Sequence, residues 1–267
     1  MKIISKKKNS PIAFFDSGVG GLTVYSKLKQ ILPDEDYIYF GDTKHMPYGE
    51  KTEEELLTYS DEILNFFIKN NAKAVVMACN TTSSMIYEKI KNKYNLRIYP
   101  IIQSVASVLG ELPVRKIGVF ATHATVSSDA YKREIQKNNP NMEVFQIACP
   151  EWVRIVEEHK SNQPQSIIQI KDKLDEMMQY KPEKIVLGCT HYPYLINILS
   201  KFEPTEMFID PAIYFAQYIK NDLQKNNLLE NADGIEEFYV SASPENFKKA
   251  SEMFYKLEEL PQLALND

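Results

Sequence analysis

Along this chain, short unbroken apolar runs alternate with longer segments whose apolar residues recur at helical spacing. The runs are Ile12-Ala13-Phe14-Phe15, Tyr37-Ile38-Tyr39-Phe40, Ala74-Val75-Val76-Met77, Ile117-Gly118-Val119-Phe120 and Lys184-Ile185-Val186-Leu187. Continuous apolar character marks strands covered on both faces by helices, as in a parallel sheet. Between the runs, Glu53 to Lys69, Ser83 to Lys93 and Gln165 to Gln179 have the period of amphipathic helices. Pro182 stands between the last of these and its strand, where a helix has to have stopped. The alternation predicts an α/β protein with mainly parallel sheets.

A faint internal repeat adds to this picture. Ile12 to Ser17 (IAFFDS) resembles Ile117 to Thr122 (IGVFAT) at an offset of 105, and Val75 to Thr81 (VVMACNT) resembles Ile185 to His191 (IVLGCTH) with Cys79 and Cys189 110 apart. Two pairs at nearly one offset suggest two similar halves, although buried strands also resemble one another by chance. Each of these cysteines follows a strand and precedes a Thr-containing turn. In open parallel sheets, ligands bind at the carboxyl ends of strands, so two such ends could face each other across a cleft.

Composition narrows the function classes. At 267 residues, the chain is long enough for a substantial core in one large domain or two smaller ones. A net charge of -5 argues against general nucleic-acid binding. The Lys6-Lys7-Lys8 run reads as a solvated N-terminal tail. No apolar stretch approaches the roughly 20 residues that span a bilayer, and the first residues lack the apolar region of a signal peptide. Three cysteines, a small and odd number, argue against a disulfide framework, so free thiols in a reducing cytoplasm are expected.

Three constellations could carry chemistry. Asp16-Ser17-Gly18-Val19-Gly20-Gly21 follows a strand and could bring backbone N–H groups to an anion, but Thr23 stands where a dinucleotide fingerprint needs its third glycine. The others are Cys79-Asn80-Thr81-Thr82 and Cys189-Thr190-His191-Tyr192-Pro193. A lone Cys after a buried strand is usually a small core residue, which is how Cys149 reads. A matched pair beside donor-rich turns suits proton removal from one face of a carbon and its return on the other. A thiol pKa near ~8.5 needs only a modest downward shift for this, which strand-end placement could supply. Histidines 45, 123, 159 and 191 lack metal-finger spacing, and a Cys189–His191 hydrolase would leave Cys79 without a role.

With FDSGVGGLTV (Phe15 to Val24), YFGDT and MPYG (Tyr39 to Thr43, Met46 to Gly49), ACNTTS (Ala78 to Ser83), ACP (Ala148 to Pro150) and LGCTHYPYL (Leu187 to Leu195), the chain resembles the glutamate racemase family of the aspartate/glutamate racemase superfamily. The motifs run in the family's order from about Ile12 to Pro211. The resemblance implies two Rossmann-like or flavodoxin-like α/β domains related by a pseudo-twofold axis, with the active site between them. Residues 1–100 with 212–267 would form the first domain and 101–211 the second. It implies direct interconversion of L- and D-glutamate, without pyridoxal phosphate, metal or other cofactor, supplying D-glutamate for peptidoglycan in a bacterial cytoplasm. Cys79 and Cys189 would be the acid/base thiols, assisted by Asp16, His191 and, if the segment after ACP aligns, Glu157. Asp16, Ser17, Tyr48, Gly49, Asn80, Thr81, Thr190 and His191 would line the substrate pocket, and a homodimer is implied. Thr82, Arg154, Gln103-Ser104 and Lys44-His45-Met46 depart from the usual family pattern. A sister enzyme acting on aspartate or a related acid, or a binding protein that has lost catalysis, are the alternatives.

Overall fold

The computed structural model describes residues 10–230 and 234–264; the Lys6-Lys7-Lys8 run lies outside them. Among the described residues there are ten strands. In chain order they are β1 (Ile12–Asp16), β2 (Tyr37–Gly41), β3 (Ala74–Met77), β4 (Arg97–Pro100), β5 (Lys116–Ala121), β6 (Glu143–Ala148), β7 (Lys184–Gly188), β8 (Phe208–Ile209), β9 (Glu236–Val240) and β10 (Gln262–Leu263). Six form one sheet in the order β10-β9-β2-β1-β3-β4, and four form a second in the order β6-β5-β7-β8. Every pairing is parallel.

The α/β class with two parallel sheets is as the apolar runs predicted, and the reason is visible at β1. All five of its residues are buried. Ala13 and Phe15 face Leu56, Ile63, Leu64 and Phe67 of the helix Glu53–Lys69, while Ile12 and Phe14 face a core that continues into the second sheet through Val119, Leu187 and Trp152. With apolar neighbours on both sides, alternation has no purpose. Glu53–Lys69 begins where its sequence dictates: Thr52 accepts the Glu55 N–H, and the Glu55 carboxylate accepts the Thr52 N–H, a reciprocal cap.

The two sheets repeat one connectivity, β2-β1-β3-β4 against β6-β5-β7-β8. The sequence repeat pairs β1 with β5 and β3 with β7. In each sheet the chain leaves the central strand to one side and returns to the other, so the crevice where the order reverses lies between β1 and β3, and again between β5 and β7. Such switch points are where open α/β sheets bind ligands.

Two features depart from the sequence expectation. The helix expected from Ser83 to Lys93 begins three residues earlier, at Asn80, and is interrupted at Ile86, giving Asn80–Met85 and Tyr87–Ile90. Strands β4, β6, β8, β9 and β10 lie away from the sheet centres or are very short. β6, for example, carries exposed Glu143 and half-buried Gln146, so its apolar run is broken. The last two strands return to the first sheet, β9 against β2 and β10 against β9.

Candidate active site

The two switch points face one cavity of about 70 Å³, lined by Ser17, Met46, Pro47, Tyr48, Gly49, Cys79, Asn80, Thr81, Thr122, Val153, Glu157, Cys189, Thr190 and His191. The first sheet delivers Ser17 just past β1 and Cys79 just past β3. The second delivers Thr122 just past β5 and Cys189 just past β7. Both cysteines are nearly buried yet open onto the cavity, and both are free thiols. Cys79 stands at the N-cap of Asn80–Met85, and Cys189 precedes the turn that leads to Tyr192–Leu195.

Two glycines permit close packing here, Gly20 against the other half and Gly21 within its own. A Cβ at Gly20 would lie 2.4 Å from Thr190 Oγ1 and 2.5 Å from His191 Cε1; one at Gly21 would lie 2.5 Å from Asp16 Cβ. No side chain fits either place. The Gly18 N–H is taken by Asp16 Oδ2 at 3.1 Å, so the loop that the sequence suggested as an anion cradle serves close packing instead. Across the same seam, Thr23 Oγ1 donates to the Thr190 carbonyl (2.8 Å), and the Thr81 and Thr122 hydroxyls meet at 3.1 Å.

His191 is the electrostatic hinge of the second half. Its Nδ1 lies 3.8 Å from Cys189 Sγ and its Nε2 lies 3.0 Å from Glu157 Oε1. Burial disfavours a charged imidazole, but hydrogen bonds to Cys189 and Glu157 outweigh it and push His191 from 6.5 up to about 10. A protonated ring thus offers one N–H to the sulfur and the other to the carboxylate. On the first side, Asp16 is fully enclosed behind the cavity wall instead of lining it, and its Oδ1 has no partner. Burial pushes its carboxyl from 3.8 up to about 6, against the pull of His191 and the N–H groups of Gly18 and Gly21.

The expected downward shift of the thiols fails for Cys79. Burial first, and the Asp16 carboxylate second, push it from 9.0 up to about 12, although the Thr82 N–H and hydroxyl favour the thiolate. Cys79 therefore holds its proton at neutral pH.

The remaining residues divide by role. Asn80 lines the cavity with Nδ2 unpartnered and Oδ1 held by the Tyr131 hydroxyl at 2.8 Å. Tyr48 lines it too, but its hydroxyl donates to Asp42, a carboxylate that also accepts from Ser241 (2.7 Å) and pairs with His45 (2.9 Å). Departures from the family pattern have local work: Gln103 exchanges hydrogen bonds with Ser83 (2.8 and 3.1 Å), and the Thr82 hydroxyl donates to the Cys79 carbonyl (3.0 Å). Cys149 lies elsewhere, buried beside Trp152, its thiol facing the Ile147 carbonyl. Thr122 and Val153 were not singled out from the sequence, and Met46 and Pro47 only as part of the MPYG motif and not as pocket residues. Thr122 had a signal, because it occupies the place of Ser17 in the internal repeat; Val153 has none. Among the described residues, no group of three or more His, Cys, Asp or Glu side chains could hold a metal ion.

Residues 17–218 match the family model described as Asp/Glu/Hydantoin racemase. The chain belongs to that family. Among its relatives, glutamate racemase 2 of Caldanaerobacter subterraneus subsp. tengcongensis is 42% identical over 91% of this chain and 92% of its own length. Among solved racemases, the Francisella tularensis glutamate racemase in complex with D-glutamate superposes with a TM-score of 0.88 at 33% identity, covering 97% of this chain and 98% of that one. A glutamate racemase isoform of Bacillus anthracis gives 0.89 at 28% identity over 97% and 98%.

Proposed function

We propose that this enzyme interconverts L- and D-glutamate by direct proton transfer at Cα, with Cys79 and Cys189 as the two acid/base groups. One observation carries the reading: two matched strand ends, one from each sheet, bring a free thiol to the same cavity. One sulfur, as thiolate, takes the Cα proton, and the electron pair left on carbon is delocalised into the α-carboxylate. The other, as thiol, returns a proton to the opposite face and becomes the thiolate. Asn80, Thr81, Thr122 and Thr190 line the cavity and supply the donors that hold the α-carboxylate. His191, held by Glu157, keeps a proton beside Cys189; Asp16 acts on Cys79 through its charge. Side chains of this chain perform every step.

The relatives support glutamate as the substrate, and the family role makes D-glutamate a peptidoglycan precursor. No helix among the described residues is long and apolar enough to cross a membrane, which agrees with a cytoplasmic location. The division into 1–100 with 212–267 and 101–211 draws support from the return of β9 and β10 to the first sheet. Homodimerisation belongs to the same reading and is read directly by light scattering of the eluting protein.

The test is solvent-deuterium incorporation at Cα of each enantiomer for wild type, Cys79→Ser and Cys189→Ser. Wild type exchanges and racemises both enantiomers, while each variant loses racemisation and any residual exchange has opposite handedness in the two. A wild type that leaves both glutamates untouched but exchanges aspartate replaces this reading with the sister-substrate one.

A further inference from the structure

Asn80 presents an unusual pair of facts. It lines the cavity, yet its amide Nδ2 is buried without a hydrogen-bond partner, while its Oδ1 accepts from the Tyr131 hydroxyl at 2.8 Å. Tyr131 comes from the other half of the molecule, on the helix Ala130–Asn138, and is fully buried. Its ring also lies against the backbone that carries the second thiol: a Cβ at Gly188 would be 2.9 Å from Tyr131 Cε2. One side chain thus touches the residue after Cys79 and the residue before Cys189.

An Asn side chain is ambiguous to a ligand. One amide orientation offers two N–H donors and the reverse offers an acceptor that repels a carboxylate. A buried phenol resolves the ambiguity, because leaving its own proton unbonded is unfavourable. Asn80 Oδ1 is the acceptor for that proton, so Nδ2 remains as the free donor at the cavity. We propose that Tyr131 is a positioning residue that locks the Asn80 amide with its donor available to the substrate carboxylate. Recognition beside Cys79 is thereby tied to the backbone beside Cys189, so both thiols are set against one substrate pose. This inference rests on the glutamate-racemase reading above.

The experiment is steady-state racemisation in both directions for wild type, Tyr131→Phe, Asn80→Ala and the double variant. Phe keeps the ring against Gly188 and removes only the hydroxyl. Tyr131→Phe raises KM for both enantiomers roughly tenfold, as expected for an oriented hydrogen bond to a charged group, with kcat changed far less. In the Asn80→Ala background, the same substitution has no further effect on KM, because Tyr131 acts through the amide. A Tyr131→Phe protein with unchanged KM overturns the inference, as does a KM effect that persists without the Asn80 amide. A loss of melting temperature and kcat with KM unmoved likewise overturns it, in favour of a purely structural tyrosine. A wild type inactive on glutamate removes the underlying reading and this inference with it; the other failures leave that reading standing.

Discussion

Replacing Asp16 with Asn isolates what its buried charge does to the fold. The side chain keeps its shape, and Oδ1 can still accept the Gly18 N–H that Asp16 accepts at 3.1 Å. In the wild type the carboxyl titrates at about 6 in the folded protein against 3.8 as its ordinary value, chiefly because it is buried. The folded state therefore holds this proton more tightly than the unfolded chain does. Stability falls as pH rises from 3.8 to about 6 and then stays lower. Two pKa units correspond to about 3 kcal/mol that the ionised group withholds at neutral pH. Asn80-like orphaning of the new amide would offset part of any gain, but by the same amount at every pH. The informative quantity is thus the change in the stability gap: Asp16→Asn gains about 2 kcal/mol on wild type between about pH 4.5 and about pH 7.5. Urea unfolding at both pH values measures it. A gap that does not move with pH, or one that moves in wild type's favour as pH rises, would falsify the assignment of a raised carboxyl. Removing the charge also lowers the Cys79 thiol from about 12, because Asp16 is the second contributor there, so iodoacetamide alkylates Cys79 faster in the variant.

Glu157→Gln removes the negative partner 3.0 Å from His191 Nε2, and the imidazole then titrates below about 10, which NMR of the ring protons reads; a titration left in place refutes the ion pair. Gly20→Ala forces a methyl into Thr190 and His191, destabilising the protein by about 1–3 kcal/mol in chemical denaturation and lowering kcat, and an unaffected variant shows that the seam between the halves yields more easily than its contacts imply. Thr122→Val removes the hydroxyl that meets Thr81 at 3.1 Å and raises KM severalfold, on the scale of one donor to a charged ligand. A KM equal to wild type would place Thr122 outside substrate recognition.

The central strands were legible because burial on both faces forces an unbroken apolar run: β1, β2, β3, β5 and β7 could be read directly. The edge strands were not, since Arg97 in β4 and Glu143 in β6 keep polar residues that one open side allows. The two cysteines stood out through their matched setting after β3 and β7, a pattern that survives in one dimension because strand ends and the turns that follow are local. Gly20 and Gly21 announced a close approach but not its partners, which lie some 170 residues away at Thr190 and His191 for Gly20 and next to it at Asp16 for Gly21.

Ionisation was decided by the tertiary structure alone. Strand-end placement suggested readily ionised thiols, yet enclosure and the Asp16 carboxylate push Cys79 the other way. Whether a carboxyl or a thiol keeps its proton depends on how much water surrounds it and which charges stand nearby, and neither is local in sequence. The same holds for Tyr131, an ordinary helix residue until folding sets its hydroxyl against Asn80, 51 positions earlier. Sequence determined which groups could act and at which strand ends they sit, because backbone pattern and burial are written along the chain. Their protonation, orientation and mutual reach were fixed only when two separately legible sheets closed on one another.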